Sequence, residues 1–110
     1  MNIQTKKEKD TLIITVSGRM DAVTSPEFEK SFAEIVSRGD KAFIIDLCGV
    51  DYISSAGLRG ILTSVKRVHA VQGKLAFTGI QGQVQEVFKI SGFLTMLKVF
   101  STETEALAQM

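Results

Sequence analysis

The run Ala42-Phe43-Ile44-Ile45-Asp46-Leu47-Cys48 shows almost no alternation between apolar and polar residues. That is the pattern of a strand buried on both faces in the middle of a parallel sheet. Parallel neighbours cannot be joined by a tight hairpin and need a crossover, usually a helix. Helical patterns duly flank the run. Before it, Phe28, Phe32, Ile35 and Val36 form one apolar stripe, and Gly39 after Arg38 is a C-cap, which predicts a helix near 26–38. Its start is marked twice: Ser25 before Pro26 fits an N-cap with proline at the first helical position, and Thr24 with Glu27 fits a capping box. After the run, Leu58, Ile61, Leu62, Val65 and Val68 recur at helical spacing, predicting a helix near 57–71 that stops at Gly73.

The rest of the chain extends this pattern in both directions. Residues 2 to 8 are polar with few apolar anchors, and Leu12-Ile13-Ile14-Thr15-Val16 follows Lys9-Asp10, so an edge strand, a turn and a more buried partner strand ending at Gly18 are expected. Lys74 to Gly79 reads as a further strand. Val84, Val87 and Phe88 mark a short helix ending before Gly92, Leu97 to Phe100 a last strand, and Ser101 and Thr102 with Glu105 the start of a terminal helix carrying Ala106 and Leu107. One hairpin followed by strand-helix units gives an α/β fold with a mixed sheet of about five strands and right-handed crossovers. No repeat, linker or low-complexity stretch divides it, so residues 1–110 are expected to form one domain.

Composition narrows the function classes. With 110 residues, 45% of them hydrophobic, the chain is expected to bury about two-thirds of its unfolded surface without staples. A net charge of +1 with interspersed signs is no footprint for a phosphate backbone, so no direct nucleic-acid partner is expected. The single cysteine, Cys48, cannot close an internal disulfide and reads as a small buried hydrophobe in a reducing compartment. No window reaches the run of about 20 apolar residues needed for a membrane span, and the N-terminal residues lack the apolar core of a signal peptide. A soluble cytoplasmic protein without membrane contact is expected.

In parallel α/β sheets, binding and chemistry gather at the carboxyl ends of the strands, which directs attention to Asp51-Tyr52-Ile53-Ser54-Ser55-Ala56-Gly57-Leu58-Arg59. Catalysis fits this stretch poorly. The G-x-S-x-G pattern of a nucleophile elbow fails because Ile53 stands two residues before Ser55. The only histidine, His69, lies 14 residues on, about 20 Å along one helix, and reads as a partly buried residue at the helix C-terminus. One histidine and one cysteine leave too few soft ligands for a metal site, and Gly57-Leu58-Arg59-Gly60 lacks the lysine and spacing of a phosphate-binding loop. No cofactor is expected. Three features remain: the serine pair, which either caps the following helix or binds a partner; Asp21, an exposed turn carboxylate or a contact residue; and Asp46, a carboxylate inside an apolar strand that must cap a neighbouring turn or lie at the strand end.

The segment Asp46-Leu47-Cys48-Gly49-Val50-Asp51-Tyr52-Ile53-Ser54-Ser55-Ala56-Gly57-Leu58 resembles the signature D-L-S-x-V-x-[FY]-[MI]-D-S-[ST]-G-L of the STAS family of bacterial anti-sigma-factor antagonists. Gly18-Arg19-Met20-Asp21 resembles that family's G-E-[LI]-D loop, and Ile90-Ser91-Gly92-Phe93, with Phe100 and Glu105-Ala106-Leu107, its closing segment. The likeness covers essentially the whole chain. It implies a protein without enzymatic activity that binds an anti-sigma factor doubling as an ATP-dependent serine kinase. Phosphorylation of the serine two residues before the motif glycine, here Ser55, then breaks the complex, and a phosphatase resets it. The implied contact surface is Asp21, Thr24, Asp51, Ser54, Ser55, Ala56, Gly57 and Arg59, on a monomer or weak dimer. Three departures stand out: Ser54 replaces the usual aspartate and is a competing phosphosite, Ala56 replaces a hydroxyl residue, and Arg19 replaces glutamate. Two further readings stay open, an accessory STAS subunit of a lipid-type ABC transporter and an enzyme or small-ligand binder.

Overall fold

A computed structural model describes all residues, Met1–Met110. The elements are β1 (Asn2–Glu8), β2 (Thr11–Met20), α1 (Ser25–Ser37), β3 (Ala42–Ile53), α2 (Ser55–Ala70), β4 (Lys74–Thr78), α3 (Gly82–Ser91), α4 (Phe93–Met96), β5 (Val99–Phe100) and α5 (Glu103–Gln109). The five strands lie in sequence order, with β1 antiparallel to β2 and every later neighbour parallel. This is the mixed α/β sheet that the sequence patterns predict. Phe43, Ile44, Ile45 and Leu47 are fully buried, so the unalternating run does lie between two covered faces.

The faces are covered unequally. Leu12, Ile14 and Val16 of β2, Phe43, Ile45 and Leu47 of β3 and Phe77 of β4 form one continuous core with Phe28 and Phe32 of α1, Ile61 and Val68 of α2, and Val84 and Phe88 of α3. The alternate residues, Ile13, Ile44 and Ala76, face the other way and meet only Ala106, Leu107, Phe100 and Met110. One short helix, α5, therefore shields a face that opposes three longer ones. Each large aliphatic or aromatic side chain buried in the main core contributes about 1.5–3 kcal/mol.

Several boundaries differ from the sequence expectation, for physical reasons. β3 continues to Ile53 rather than stopping at Cys48, because β2 runs alongside it to Met20 instead of ending at Gly18, and the pair stays in register through two irregularities, Thr15/Ser17 and Gly18/Arg19. In both, β3 spends an extra residue. The first bulge turns Cys48 out to solvent, so it is exposed and not buried. His69 is likewise exposed rather than partly buried. The last strand shrinks to Val99–Phe100 because the one-turn helix α4 takes up Phe93–Met96. α1 is preceded by Thr24 as N-cap, but the capping box with Glu27 does not form: Thr24 offers α1 no side-chain hydrogen bond.

Asp46, only 8% exposed, resolves the question of a carboxylate inside an apolar strand. Its Oδ1 accepts the Cys48 N–H at 2.9 Å, bracing the bulge. Burial works against its charge, but hydrogen bonds from Glu103 and from Cys48, with Lys6 nearby, hold the carboxyl below the usual range. Glu103 of α5 carries the opposite shift, raised chiefly by its hydrogen bond to Asp46 and opposed by Lys6, whose Nζ lies 3.3 Å away. Of the two carboxyls, Glu103 is thus the one whose proton is favoured, and its contact with Asp46 ties α5 to the sheet. The Cys48 thiol is also pushed up, first by its hydrogen bond to Asp46.

Gly79 follows β4 with φ +72°, and a Cβ there would meet the Asp46 carboxylate and lie 2.7 Å from the Cys48 N–H. Gly79→Ala is expected to lower unfolding free energy by about 2–4 kcal/mol in urea denaturation. Gly82→Ala, at φ +60° with nothing within 4 Å, should lose only the left-handed penalty of about 1 kcal/mol. Equal losses at the two sites would contradict the role given to the Asp46 brace.

Candidate functional site at the strand-to-helix junction

The turn between β3 and α2 is a single residue, Ser54, and α2 begins at Ser55 rather than near 57. Ser54 is extended (φ −100°, ψ 179°), and its side-chain oxygen accepts the Gly57 N–H at 3.3 Å. It therefore caps the helix, as serine at this position commonly does, for about 1 kcal/mol. Its own N–H donates to the Met20 carbonyl at 2.9 Å. Ser55 is the first helical residue; it is exposed, and its hydroxyl makes no hydrogen bond within the protein. The two adjacent serines are thus chemically distinct, one committed and one free.

Gly57 is required by contact. A Cβ there would lie 2.5 Å from the Met20 carbonyl oxygen and 2.6 Å from Ile53 Cγ1, inside any tolerable separation. The first turn of α2 rests directly on the end of β2, which carries the chain into the other loop of the site. Ala56 is half-buried. Arg59 is exposed and forms no ion pair.

The loop between β2 and α1 is rigid by hydrogen bonding. Asp21 Oδ1 accepts the N–H groups of Val23 (3.0 Å) and Thr24 (3.1 Å), while the Asp21 N–H donates to Thr24 Oγ1 at 3.0 Å and the Thr24 hydroxyl donates to the Arg19 carbonyl at 2.6 Å. The Thr24 hydroxyl is turned back into the loop, which is why it does not cap α1. These contacts hold the Asp21 carboxyl below the usual carboxylate range, led by the Thr24 N–H and supplemented by Val23, the Thr24 hydroxyl and Arg19. The loop places Val23 at 86% exposure, the most exposed large apolar side chain of the chain.

The Met20–Ser54 hydrogen bond brings Asp21 and Thr24 to the same rim as Ser54, Ser55, Gly57 and Arg59. Asp51 lies elsewhere on that rim, in a 380 Å³ hollow lined by Cys48 to Asp51 and Gln81 to Gln83. Two side chains there serve β3 directly: Gln83 Oε1 accepts the Ile53 N–H at 3.2 Å, and Gln81 Nε2 donates to the Cys48 carbonyl at 3.0 Å. Sequence reasoning missed this pair, and it missed the stacking of the Arg19 guanidinium over Tyr52 at 4.2 Å, with Nε 3.4 Å from Asp21 Oδ2. Only the register, which sets Arg19 opposite Tyr52, reveals that stacking. No three His, Cys, Asp or Glu side chains converge to hold a metal ion, and no helix is long and apolar enough to cross a membrane.

Fold and rim together define a small α/β domain that presents a free hydroxyl at a helix N-terminus beside a hydrogen-bonded acidic loop. The chain belongs to the STAS domain family, whose model matches residues 2–106. It is 35% identical over 108 residues to BtrV of Bordetella bronchiseptica, a protein provisionally named an anti-sigma factor antagonist, the match covering 98% of this chain and 93% of that one. Its fold superposes on an anti-sigma factor antagonist from Mycobacterium paratuberculosis with TM-score 0.89 and 19% identity, covering 98% of this chain and 92% of that one. It also superposes on Bacillus SpoIIAA, solved unphosphorylated (TM-score 0.80, 20% identity, 98% and 95% covered) and phosphorylated (TM-score 0.71, 19% identity, 98% of each covered).

Because the Asp21 carboxyl titrates below its ordinary value of 3.8 in the folded protein, it stabilises the fold above the unfolded pKa, and that contribution is lost as pH falls through the folded pKa. Asp21→Ala is expected to melt at a lower temperature than the parent at pH 7. The gap should begin to narrow below about pH 4, where the unfolded carboxyl takes up a proton, and close only below the lower pKa of the folded carboxyl. A gap that stays constant down to strongly acidic pH would assign the effect to side-chain packing instead of charge.

Proposed function

We propose that the protein is an anti-sigma factor antagonist of the partner-switching type, a binding protein and not an enzyme, acting in the cytoplasm. In its unphosphorylated state it binds an anti-sigma factor that is also a serine kinase. Phosphorylation of Ser55 ends that complex, and a phosphatase restores it. The rim formed by Asp21, Thr24 and the 51–59 segment is the docking surface. Family membership supports the class of function. The observation that carries the switch is the contrast between the serines: Ser54 Oγ is occupied by the Gly57 N–H, whereas Ser55 is exposed and unbonded.

Physical chemistry favours Ser55 as a phosphate carrier. A phosphoserine brings about −1.5 to −2 charges, and at the N-terminus of the 16-residue helix α2 such charge is stabilised by about 0.3–1 kcal/mol. Arg59, four residues on and without an ion-pair partner, lies on the same helix face and can pair with it. The fold therefore keeps its stability while the rim gains negative charge. A partner surface complementary to a neutral hydroxyl must then desolvate or repel a dianion.

The test is phosphorylation of the purified chain with ATP and the anti-sigma factor kinase of its own cells, followed by peptide mass spectrometry and affinity measurement. One phosphate, on Ser55, is expected. Ser54→Ala should still accept it and Ser55→Ala should not. The phosphorylated chain should bind the kinase at least about tenfold more weakly, on the order of 1.4 kcal/mol. Arg59→Ala should raise the second pKa of the phosphoserine. Phosphate on Ser54 in place of Ser55, or undiminished binding after modification, would count against the reading.

A further inference from the structure

At the opposite end of the sheet from the serines, a cavity of 730 Å³ opens between α5, the β1–β2 turn, the start of β3 and the α2–β4 turn. It exists because α5, seven residues long, cannot cover the face of three parallel strands. Its volume falls in the range of small-molecule sites, about 300–1,000 Å³. Ala42, Leu107, Ala108 and Met110 contribute its apolar wall, and Leu107 and Met110 pack against the small second core of Ile13, Ile44, Ala76 and Ala106. The apolar wall thus continues into the protein interior.

The polar wall is cationic. Lys9, Lys41 and Lys74 all line the cavity. The Lys41 ammonium is held by the Val71 carbonyl at 2.9 Å, while Lys9 and Lys74 have no carboxylate within ion-pair distance. Of the two acidic side chains that also line it, Glu8 faces Lys6 at 3.9 Å, which leaves Asp10 as the one unpaired acidic side chain against three lysines. A second observation is independent of charge. Lys9 (φ 56°) and Gln72 (φ 58°) are the only non-glycine residues of the chain in the left-handed region, and both line this cavity. Hairpin turns and helix ends favour glycine or asparagine in that conformation. Here a long polar side chain stands at each position instead, and such outliers gather at ligand sites.

We propose that this cavity binds a single-chain organic carboxylate free in solution, with its apolar chain against Ala42, Leu107 and Met110 and its carboxylate between Lys9 and Lys74. The site is separate from the Ser55 rim, and the inference does not depend on the partner-switching reading.

Sodium decanoate, kept below its micelle-forming concentration, is the probe, titrated into the isotope-labelled full chain and followed by amide NMR. Saturable binding at or below the order of 1 mM is expected, with shifts gathered at residues 8–11, 41–42, 72–74 and 104–110. The Lys9→Glu, Lys74→Glu double variant, both sites being exposed, should weaken it by about tenfold or more. Decanol, with the same chain and no charge, should also bind about tenfold more weakly. Ala108→Trp, which fills the cavity without altering charge, should abolish binding. The proposal is overturned by non-saturable binding, by shifts centred on Ser55, by equal binding of decanol or of the charge-reversed variant, or by interaction with phosphatidylglycerol vesicles but not with free decanoate.

Discussion

The Met20 carbonyl oxygen is the point on which the upper rim depends. It accepts the Ser54 N–H at 2.9 Å, and the place where a Gly57 Cβ would stand is 2.5 Å away. One backbone atom therefore fixes the end of β2, the only residue between β3 and α2, and the first turn of α2. Everything mounted on those elements follows: the Asp21 loop leaves directly after Met20, and the free Ser55 hydroxyl is the next group after the capped one. Any shift of β2 relative to β3 would move both halves of the rim together.

Asp46 has the corresponding role inside the sheet. A carboxylate with little exposure is normally unfavourable, yet here each of its neighbours uses it. The Cys48 N–H freed by the bulge finds an acceptor in it, Gly79 passes close beside it because it has no side chain, and Glu103, its carboxyl pKa raised by the contact, anchors α5 through it. The bulge in turn lets β3 outrun β4 and deliver Ser54 at the right height. A polar residue in the core strand is thus the device by which an ordinary parallel sheet acquires an extended third strand.

Much of this was legible in the sequence because it follows from periodicity. The unalternating run at 42–48, the stripes of α1 and α2, and the Thr102 cap, which accepts the Glu105 N–H at 3.1 Å, are all local signals, and they yielded the mixed five-stranded fold. What was illegible depends on register or on competition. Cys48 and the extra length of β3 arise from bulges that no single-strand pattern encodes. Thr24 chose the Asp21 turn over capping α1, two local options that the sequence offers equally. His69 sits on the apolar side of a helical wheel but in the last turn of α2, where it is exposed at the edge of a hollow it shares with Leu75 and Phe77 of β4. At the site, the motif singles out Ser54 and Ser55, while the difference between their hydroxyls depends on which of them faces the Gly57 N–H. The Arg19–Tyr52 stack and the two glutamines join residues far apart in the chain.

Those glutamines have a consequence for how the molecule meets others of its kind. Above Asp46, β3 has no β4 beside it, so its outer side offers bare peptide groups of the sort onto which a foreign strand can zip. Gln81 and Gln83 occupy the Cys48 carbonyl and the Ile53 N–H with side-chain amides that mimic a neighbouring backbone. An incoming strand would first have to evict them. Two side chains from a helix start thereby occupy part of the border that β3 leaves open beyond β4, so a foreign strand meets side-chain amides there before it meets free peptide groups.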